Sequence, residues 1–288
     1  MTLSPIVAGT WRLNEWKLET HGLVRWIEQA LELGITTFDH ADVYGGYSVE
    51  AAFGDALAAS PGLRERMQLV TKCGIRIVAP ARPQHAVKSY DTSRAHITAS
   101  VENSLRALCT DRIDLLLIHR LDALMDPDEV AGTFAMLREQ GKVLHFGVSN
   151  HLPPQFAMLH RRIPLVANQI EFSPLQMAAL DDGTLDQASD LGLPPMIWSP
   201  LGGGRLFRAQ DEQSQRVRAE LEALGRAHGV SAATMAYAWI RRHPSKPIPI
   251  TGSGRVEALR EATASLGVQL SAEDWYRVWQ ARMNREVT

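Results

Sequence analysis

Lys72 stands just past the apolar run Met67–Thr71, in the stretch Val70-Thr71-Lys72-Cys73. An ammonium buried among such neighbours needs a counter-charge. Asp39, which ends the run Thr36–Asp39, can supply one from the adjacent strand. Two tyrosines follow it, Tyr44 and Tyr47. A phenol beside an ammonium has its phenolate favoured and its pKa lowered. Such a phenol exchanges a proton with a carbonyl or alcohol oxygen near neutral pH. His119, directly after the run Ile113–Ile118, can donate a second hydrogen bond to the same oxygen. The set suits carbonyl reduction, with hydride going to carbon and a proton to oxygen. No side chain delivers hydride, so a nicotinamide or a flavin is required. Singly, each residue has a plainer explanation. A lone Lys or His at a strand end is more often structural, and Asp39 or Asp42 alone reads as a loop or helix-cap residue. An aldolase that uses Lys72 as a Schiff base is a further alternative.

Eight short apolar runs must position these groups: Ile6–Ala8, Thr36–Asp39, Met67–Thr71, Ile113–Ile118, Leu144–Val148, Leu165–Gln169, Met196–Ser199 and Ile248–Thr251. Several are almost unbroken Val, Ile and Leu, as in Leu115-Leu116-Leu117-Ile118. That pattern suits parallel strands buried on both faces. Longer stretches between them have helical periodicity. Leu23, Trp26, Ile27, Ala30 and Leu31 share one face, as do Ile97, Val101, Leu105 and Leu108 after a Thr92-Ser93 start. Asp126-Pro127 opens another helix that runs to Gln140-Gly141, and Gly34 and Gly192 sit where helices end. Eight strands alternating with helices predict an α/β fold, a (β/α)8 TIM barrel forming a single domain over residues 1–288. An open doubly wound sheet would show GxGxxG after its first strand, and the chain has none there.

A barrel keeps its chemistry at the C-terminal ends of its strands. Polar and ionisable residues gather at that end of every run. The first is followed by Gly9-Thr10-Trp11, the seventh by Gly202-Gly203-Gly204 and the eighth by Gly252-Ser253-Gly254-Arg255. Either glycine loop alone is a weak signal. After the last two strands together, they occupy the usual phosphate-binding position of such barrels.

Composition narrows the partners. The 288 residues are 45% hydrophobic and 22% charged, an ordinary globular balance. Thirty Lys and Arg against 32 Asp and Glu leave a formal charge of −2, so no basic field favours nucleic acid. Two cysteines, Cys73 and Cys109, cannot build a disulfide framework or a CxxC metal site, and no metal is expected. Neither a signal-like N-terminus nor an apolar run of spanning length is visible, so the expected compartment is the cytoplasm, away from membranes. The oligomeric state is left open.

The strand ends resemble those of the aldo-keto reductase family over about residues 3–284. Phe38-Asp39-His40-Ala41-Asp42-Val43-Tyr44-Gly45 resembles the family's Asp-x-Ala-x-x-Tyr signature. Val70-Thr71-Lys72 resembles its lysine strand and Asp114-Leu115-Leu116-Leu117-Ile118-His119 its histidine strand. Gly147-Val148-Ser149-Asn150, Asn168-Gln169-Ile170-Glu171 and Trp198-Ser199-Pro200-Leu201-Gly202 match further segments. The resemblance implies a barrel that binds NADP(H) in extended form and reduces a small-molecule aldehyde or ketone. It implies that Tyr44 is the general acid, that Lys72 and Asp39 tune it, and that His119 orients the carbonyl. Ser149, Asn150 and Gln169 are the implied ligands of the nicotinamide carboxamide, and Trp198 the ring stacked on it. Gly9, Thr10 and Trp11 are implied to touch the cofactor, and Trp11 also lines the substrate pocket with Tyr44, His119 and Arg120. Ser199, Leu201 and Gly203 are implied to follow the pyrophosphate, and Gly252, Ser253, Gly254 and Arg255 the far end of the cofactor. Spacing from Asp39 favours Tyr44 over Tyr47, which is assigned to the pocket rim or to packing. The pattern gives His40 and Asp42 no catalytic role. A cofactor-bound, redox-sensing regulatory subunit is the alternative on the same scaffold.

The chain departs from the family in two places. Ala258 stands where many relatives carry Arg, which leaves Arg255 as the expected grip on a 2′-phosphate. Glu257 would bond a ribose hydroxyl if NAD were used instead. After Ser271 one helix is expected, with Trp275, Val278 and Trp279 on its packing face, and no long C-terminal loop is expected to close the pocket. Residues 75–91 read as a long loop at the substrate mouth or as a surface insertion. Cys73 reads as buried and inert.

Overall fold

The computed structural model describes residues 1–287. Its strands are β1 (Val7–Gly9), β2 (Thr37–Asp39), β3 (Gln68–Cys73), β4 (Ile75–Arg76), β5 (Ser89–Tyr90), β6 (Ile113–Ile118), β7 (Val143–Ser149), β8 (Asn168–Glu171), β9 (Met196–Trp198) and β10 (Ile248–Thr251). Eight close a barrel in the order β1-β10-β9-β8-β7-β6-β3-β2, while β4 and β5 form a separate antiparallel pair. The fold is therefore a (β/α)8 TIM barrel. Each barrel strand neighbours the next in sequence, as right-handed βα repeats require. The helices are α1 (Thr20–Glu32), α2 (Val49–Ala59), α3 (Arg94–Ala107), α4 (Pro127–Glu139), α5 (Pro153–His160), α6 (Thr184–Leu191), α7 (Arg205–Arg208), α8 (Glu212–His228), α9 (Ala232–Arg241), α10 (Val256–Ala264) and α11 (Ala272–Met283).

The local signals act through identifiable atoms. Ser93 caps α3 by accepting from the His96 N–H, and Asp126 caps α4 by accepting from Asp128 and Glu129. Gly34 and Gly192 follow α1 and α6 at φ 77° and 62°, a region that costs a side chain dearly. On α1 the residues Leu23, Trp26, Ile27 and Ala30 are buried, and Leu31 lies at the shoulder, half-exposed. The sixth apolar run is displaced. The strand is Asn168–Glu171 and not Leu165–Gln169. Its working end is polar, so hydropathy draws the reading back toward Leu165. Residues 75–91, read as a loop, hold the β4–β5 pair, in which Ile75 faces Tyr90 and Arg76 faces Ser89.

The chain divides into two compact units. The first comprises Met1–Gln169 with Gly252–Val256, and the second Ile170–Thr251 with Glu257–Thr288. In the first, Trp26, Phe38 and Phe53 form a buried aromatic chain with centroids 6.1 and 5.5 Å apart. Helix α2 approaches α3 so closely at Gly54 that a Cβ there would lie 1.9 Å from the Ala107 carbonyl oxygen. In the second unit, Trp239 and Trp275 stack at 5.0 Å and 4°. Each indole N–H donates to the other residue's backbone carbonyl, at 2.9 and 3.0 Å. Such a pair contributes about 0.5–1.5 kcal/mol beyond its buried area. It fastens α11 to α9, with Val278 buried and Trp279 half-buried on the same face. Among the described residues no helix is long and apolar enough to cross a membrane.

Candidate active site

Parallel register brings the candidate residues of the first unit to one level. Gly9 pairs with Asp39, Asp39 with Val70, and Lys72 with Leu117. The ladder continues past the strands, with His40 N–H donating to Val70 O at 2.8 Å and His119 N–H to Cys73 O at 2.9 Å. Lys72 is fully buried. Its ammonium donates to Asp39 Oδ1 and Oδ2, both at 2.8 Å, to the His40 carbonyl at 2.7 Å and to the Tyr44 hydroxyl at 3.0 Å. Tyr44 opens the short 3-10 turn Tyr44–Gly46 just beyond β2. Because its oxygen accepts from Lys72, its own proton is not consumed by that bond.

One electrostatic expectation is corrected. Lys72 does not bring the Tyr44 pKa below its ordinary value. Burial of the phenol raises it, Lys72 opposes the rise and Asp39 adds to it. Sequence reasoning identified the cation but not how completely the hydroxyl is desolvated. Burial also works against the Lys72 ammonium, but Asp39 and Tyr44 together hold its pKa above the ordinary range. The buried His119 ring is kept well below its usual pKa by desolvation, then by the charges of Lys72, Arg120 and Lys88. It is therefore a neutral imidazole at physiological pH. Its centroid lies 5.8 Å from the Tyr44 ring, edge-on, and its buried Nδ1 has no hydrogen-bond partner among the described residues.

Beside these lie the expected amide ligands. The Ser149 hydroxyl donates to Gln169 O at 3.0 Å and accepts from Asn150 Nδ2 at 2.7 Å. Gln169 Nε2 donates to Asp39 Oδ1 at 2.8 Å. The same carboxylate oxygen thus serves the ammonium and an amide, a link that sequence reasoning missed. Asn150 adopts φ 58°, a left-handed conformation that asparagine tolerates better than most. Asn150 and Gln169 each carry a donor and an acceptor end, so this donor set fits a carboxamide. At the other end, Trp26 Nε1 donates to Ser253 O at 3.2 Å, and a Cβ on Gly254 would lie 2.6 Å from the Trp16 ring. Gly254 therefore has a packing reason to be glycine. The Arg255 side chain is exposed, and the residue's backbone N–H donates to Ser253 Oγ at 3.2 Å.

Within the second unit, Trp198 ends β9 half-buried. Ser199 follows at φ 50°, and Gly202, Gly203 and Gly204 at 59°, 65° and 95° form a tight left-handed turn. Gly202 N–H donates to Ser199 O and Gly204 N–H to Leu201 O. In the first unit, Trp11 is 57% exposed with the Arg12 guanidinium over its ring. Arg120 is half-buried. Tyr47 turns away from Lys72, its hydroxyl accepting from the Ile77 N–H and its ring lying under Arg82. Burial pushes the Cys73 thiol pKa up, which leaves it unreactive.

Two further histidines are buried and neutral. Desolvation lowers His40 to about 3, and His151 to about 4 against the opposing Ser149 carbonyl. Below pH 6.5 the unfolded chain takes up these protons and the native one does not. Their contribution to stability is therefore complete above pH 6.5 and is lost as pH falls toward the native values. The buried carboxyls Asp42 and Glu50 have raised pKa values and act in the opposite direction, so the test must be differential. His151 Nδ1 lies 3.0 Å from Ser149 O, a contact that asparagine can imitate. The stability advantage of wild type over His151→Asn is expected to shrink by about 1.5 kcal/mol between pH 6.5 and pH 5. Urea unfolding at both pH values measures it. A constant difference would mean that His151 protonates freely in the native state.

The aldo/keto reductase family model matches residues 5–282. An Escherichia coli K12 protein, oxidoreductase YdhF, is 48% identical over 287 residues, covering 99% of this chain and 95% of its own. A 6-dehydroglucose reductase of Agrobacterium fabrum is 41% identical over 290 residues, covering 100% of this chain and 97% of its own. A crystal structure of an aldo/keto reductase from Klebsiella pneumoniae, in complex with NADP and acetate, superposes with a TM-score of 0.79 at 26% identity, covering 96% of this chain and 90% of that one. By fold, strand-end residues and these likenesses, the chain belongs to the aldo/keto reductase family.

Proposed function

We propose that the protein is an NADP(H)-dependent oxidoreductase that reduces an aldehyde or ketone to an alcohol, with Tyr44 as the general acid. The observation that carries this reading is the 3.0 Å bond from Lys72 Nζ to the Tyr44 hydroxyl, with Asp39 holding the same ammonium at 2.8 Å. Lys72 fixes the phenolic oxygen, so the phenolic proton is the one available to a substrate oxygen. The raised pKa keeps that proton in place throughout the neutral range. As the carbonyl oxygen gains negative charge, Tyr44 transfers the proton and the Lys72 ammonium stabilises the phenolate left behind. Neutral His119 holds the carbonyl oxygen by donating a hydrogen bond, and Trp11 and Arg120 line the substrate side. A bound nicotinamide supplies the hydride. Asn150, Gln169 and Ser149 would hold its carboxamide, with Gly9, Thr10 and Trp11 on the same unit. Gly252, Ser253, Gly254 and Arg255 would grip the phosphate end.

Two likenesses support the reading. The Klebsiella pneumoniae structure holds NADP, and the Agrobacterium fabrum relative is named for reduction of an oxidised sugar. The test is titration with NADPH and NADH, followed by quenching of tryptophan fluorescence, in wild type and Arg255→Ala. NADPH is expected to bind more tightly, and Arg255→Ala to weaken it about tenfold while leaving NADH unchanged, the effect of one lost charge-assisted contact. Equal affinity for both would remove the phosphate grip, and binding of neither would overturn the cofactor assignment.

A further inference from the structure

We propose that His40 is a positioning residue, whose imidazole, locked to Thr10, holds its own backbone carbonyl against Lys72 and so keeps the ammonium on Tyr44. The inference rests on the reading of Tyr44 as the acid. His40 is completely buried, and its carbonyl makes the shortest of the ammonium's contacts, 2.7 Å. Its ring Nδ1 lies 2.9 Å from Thr10 Oγ1. The Thr10 hydroxyl proton goes to Asp39 O at 2.9 Å, so Thr10 Oγ1 accepts and His40 Nδ1 carries the proton. Thr10 thereby ties down the carbonyl of Asp39 directly and that of His40 through the ring. Phe53 closes the other side of the imidazole, edge-on, at 4.4 Å.

A purely structural role leaves one observation unexplained. His40 Nε2 is buried without a hydrogen-bond partner among the described residues. An apolar side chain would fill the same space without that cost. The bond from Nδ1 to Thr10 is what the imidazole offers and a leucine does not. Charged and titratable groups around the Lys72–Tyr44 pair are Asp39 on β2, Glu50 on α2, and His119 and Arg120 beyond β6. The ring itself stays neutral beside Lys72. What His40 contributes is therefore the direction of its carbonyl and not a charge.

The experiment measures kcat, KM and the pH profile of kcat for NADPH-dependent reduction of 4-nitrobenzaldehyde in wild type, His40→Leu, His40→Asn, Thr10→Val and the His40→Leu/Thr10→Val double variant. Asparagine can place an N–H where Nδ1 stood, whereas leucine cannot. His40→Leu is expected to lower kcat about tenfold with little change in KM for the aldehyde, the effect of a weakened bond to a charged group. With the ammonium less firmly held, Tyr44 keeps its proton longer, so the alkaline limb of kcat moves up by about half a unit to one unit. His40→Asn is expected to restore kcat to within about twofold of wild type and to return the limb to its place. Thr10→Val removes this bond and also the one to Asp39 O, so the double variant should be no slower than Thr10→Val alone, because the bond lost in His40→Leu is already absent there. A wild-type limb in His40→Leu, or a His40→Asn variant as impaired as His40→Leu, overturns the proposal. If His40→Leu lacks a cooperative melting transition, Thr10→Val decides alone, and an unmoved limb in it overturns the proposal. Wild-type reduction by Tyr44→Phe would remove the underlying reading instead, and is scored separately.

Discussion

Tyr44→Phe is expected to lower kcat for carbonyl reduction by about a thousandfold, within the range that one positioned general acid contributes. The substitution deletes one oxygen. It removes the acceptor that Lys72 finds at 3.0 Å and the proton destined for the substrate. The ammonium keeps both oxygens of Asp39 and the carbonyl of His40, so the buried charge stays paired. The fold should therefore survive, and NADPH should bind as in wild type, because no proposed cofactor contact is altered. Single-turnover hydride transfer, read from NADPH absorbance, separates this from slow product release. The direction of the Tyr44 shift adds a sign. With the phenol pKa above its ordinary value, reduction should be insensitive to pH across the neutral range and decline only as the phenol ionises. Alcohol oxidation should instead rise with pH. A variant that reduces aldehydes at the wild-type rate would end the assignment of Tyr44 as the acid.

Lys72→Met should damage both stability and activity. Methionine roughly matches the length of the stem but leaves Asp39 buried without its cation, still accepting from Gln169 Nε2. Breaking a buried pair by removing one partner typically costs about 3–5 kcal/mol. Urea unfolding should show a loss of that order. The double variant Lys72→Met/Asp39→Asn removes the stranded charge as well. It should recover most of the stability and none of the activity, since nothing then stabilises the Tyr44 phenolate. That split separates the pair's electrostatic role from its packing role. Undiminished stability in Lys72→Met would mean that water reaches Asp39 in the native barrel.

Residues whose side chains act by themselves were readable from the sequence. Asp39 ends an apolar run and Lys72 and His119 directly follow theirs, and it is their joint occurrence at strand ends, not any one of them, that points to chemistry. Tyr44 was separated from Tyr47 by its place in the Asp-x-Ala-x-x-Tyr signature that the chain resembles, and the structure puts the Tyr44 hydroxyl against Lys72, with Tyr47 on the Ile77 N–H. The eight strands were readable because barrel strands buried on both faces are nearly continuous in Val, Ile and Leu. The sixth slipped because Asn168-Gln169-Ile170-Glu171 is polar where it works. Other features left no trace. The third kind of partner for Lys72 is a backbone carbonyl, and a carbonyl looks the same at every residue. The direction of the Tyr44 shift depends on how far its hydroxyl is withdrawn from water, a property of the packed site. Gly254 read as a phosphate-loop glycine, and the Trp16 ring that excludes a side chain there lies far away in sequence.

The bond from Trp26 to Ser253 spans 227 residues of sequence. Ribosomes deliver the chain from its N-terminus, so Trp26 and its helix emerge long before the acceptor of its indole proton exists. The first unit is accordingly discontinuous in time as well as in sequence. Its longer piece, ending at Gln169, must wait for Gly252–Val256 before it is complete. Contacts of such long range delay folding, because loop closure must precede the contacts that reward it. The loop that arrives last is the one assigned to the cofactor's phosphate end, so a nascent chain acquires that grip only when its first unit is finished.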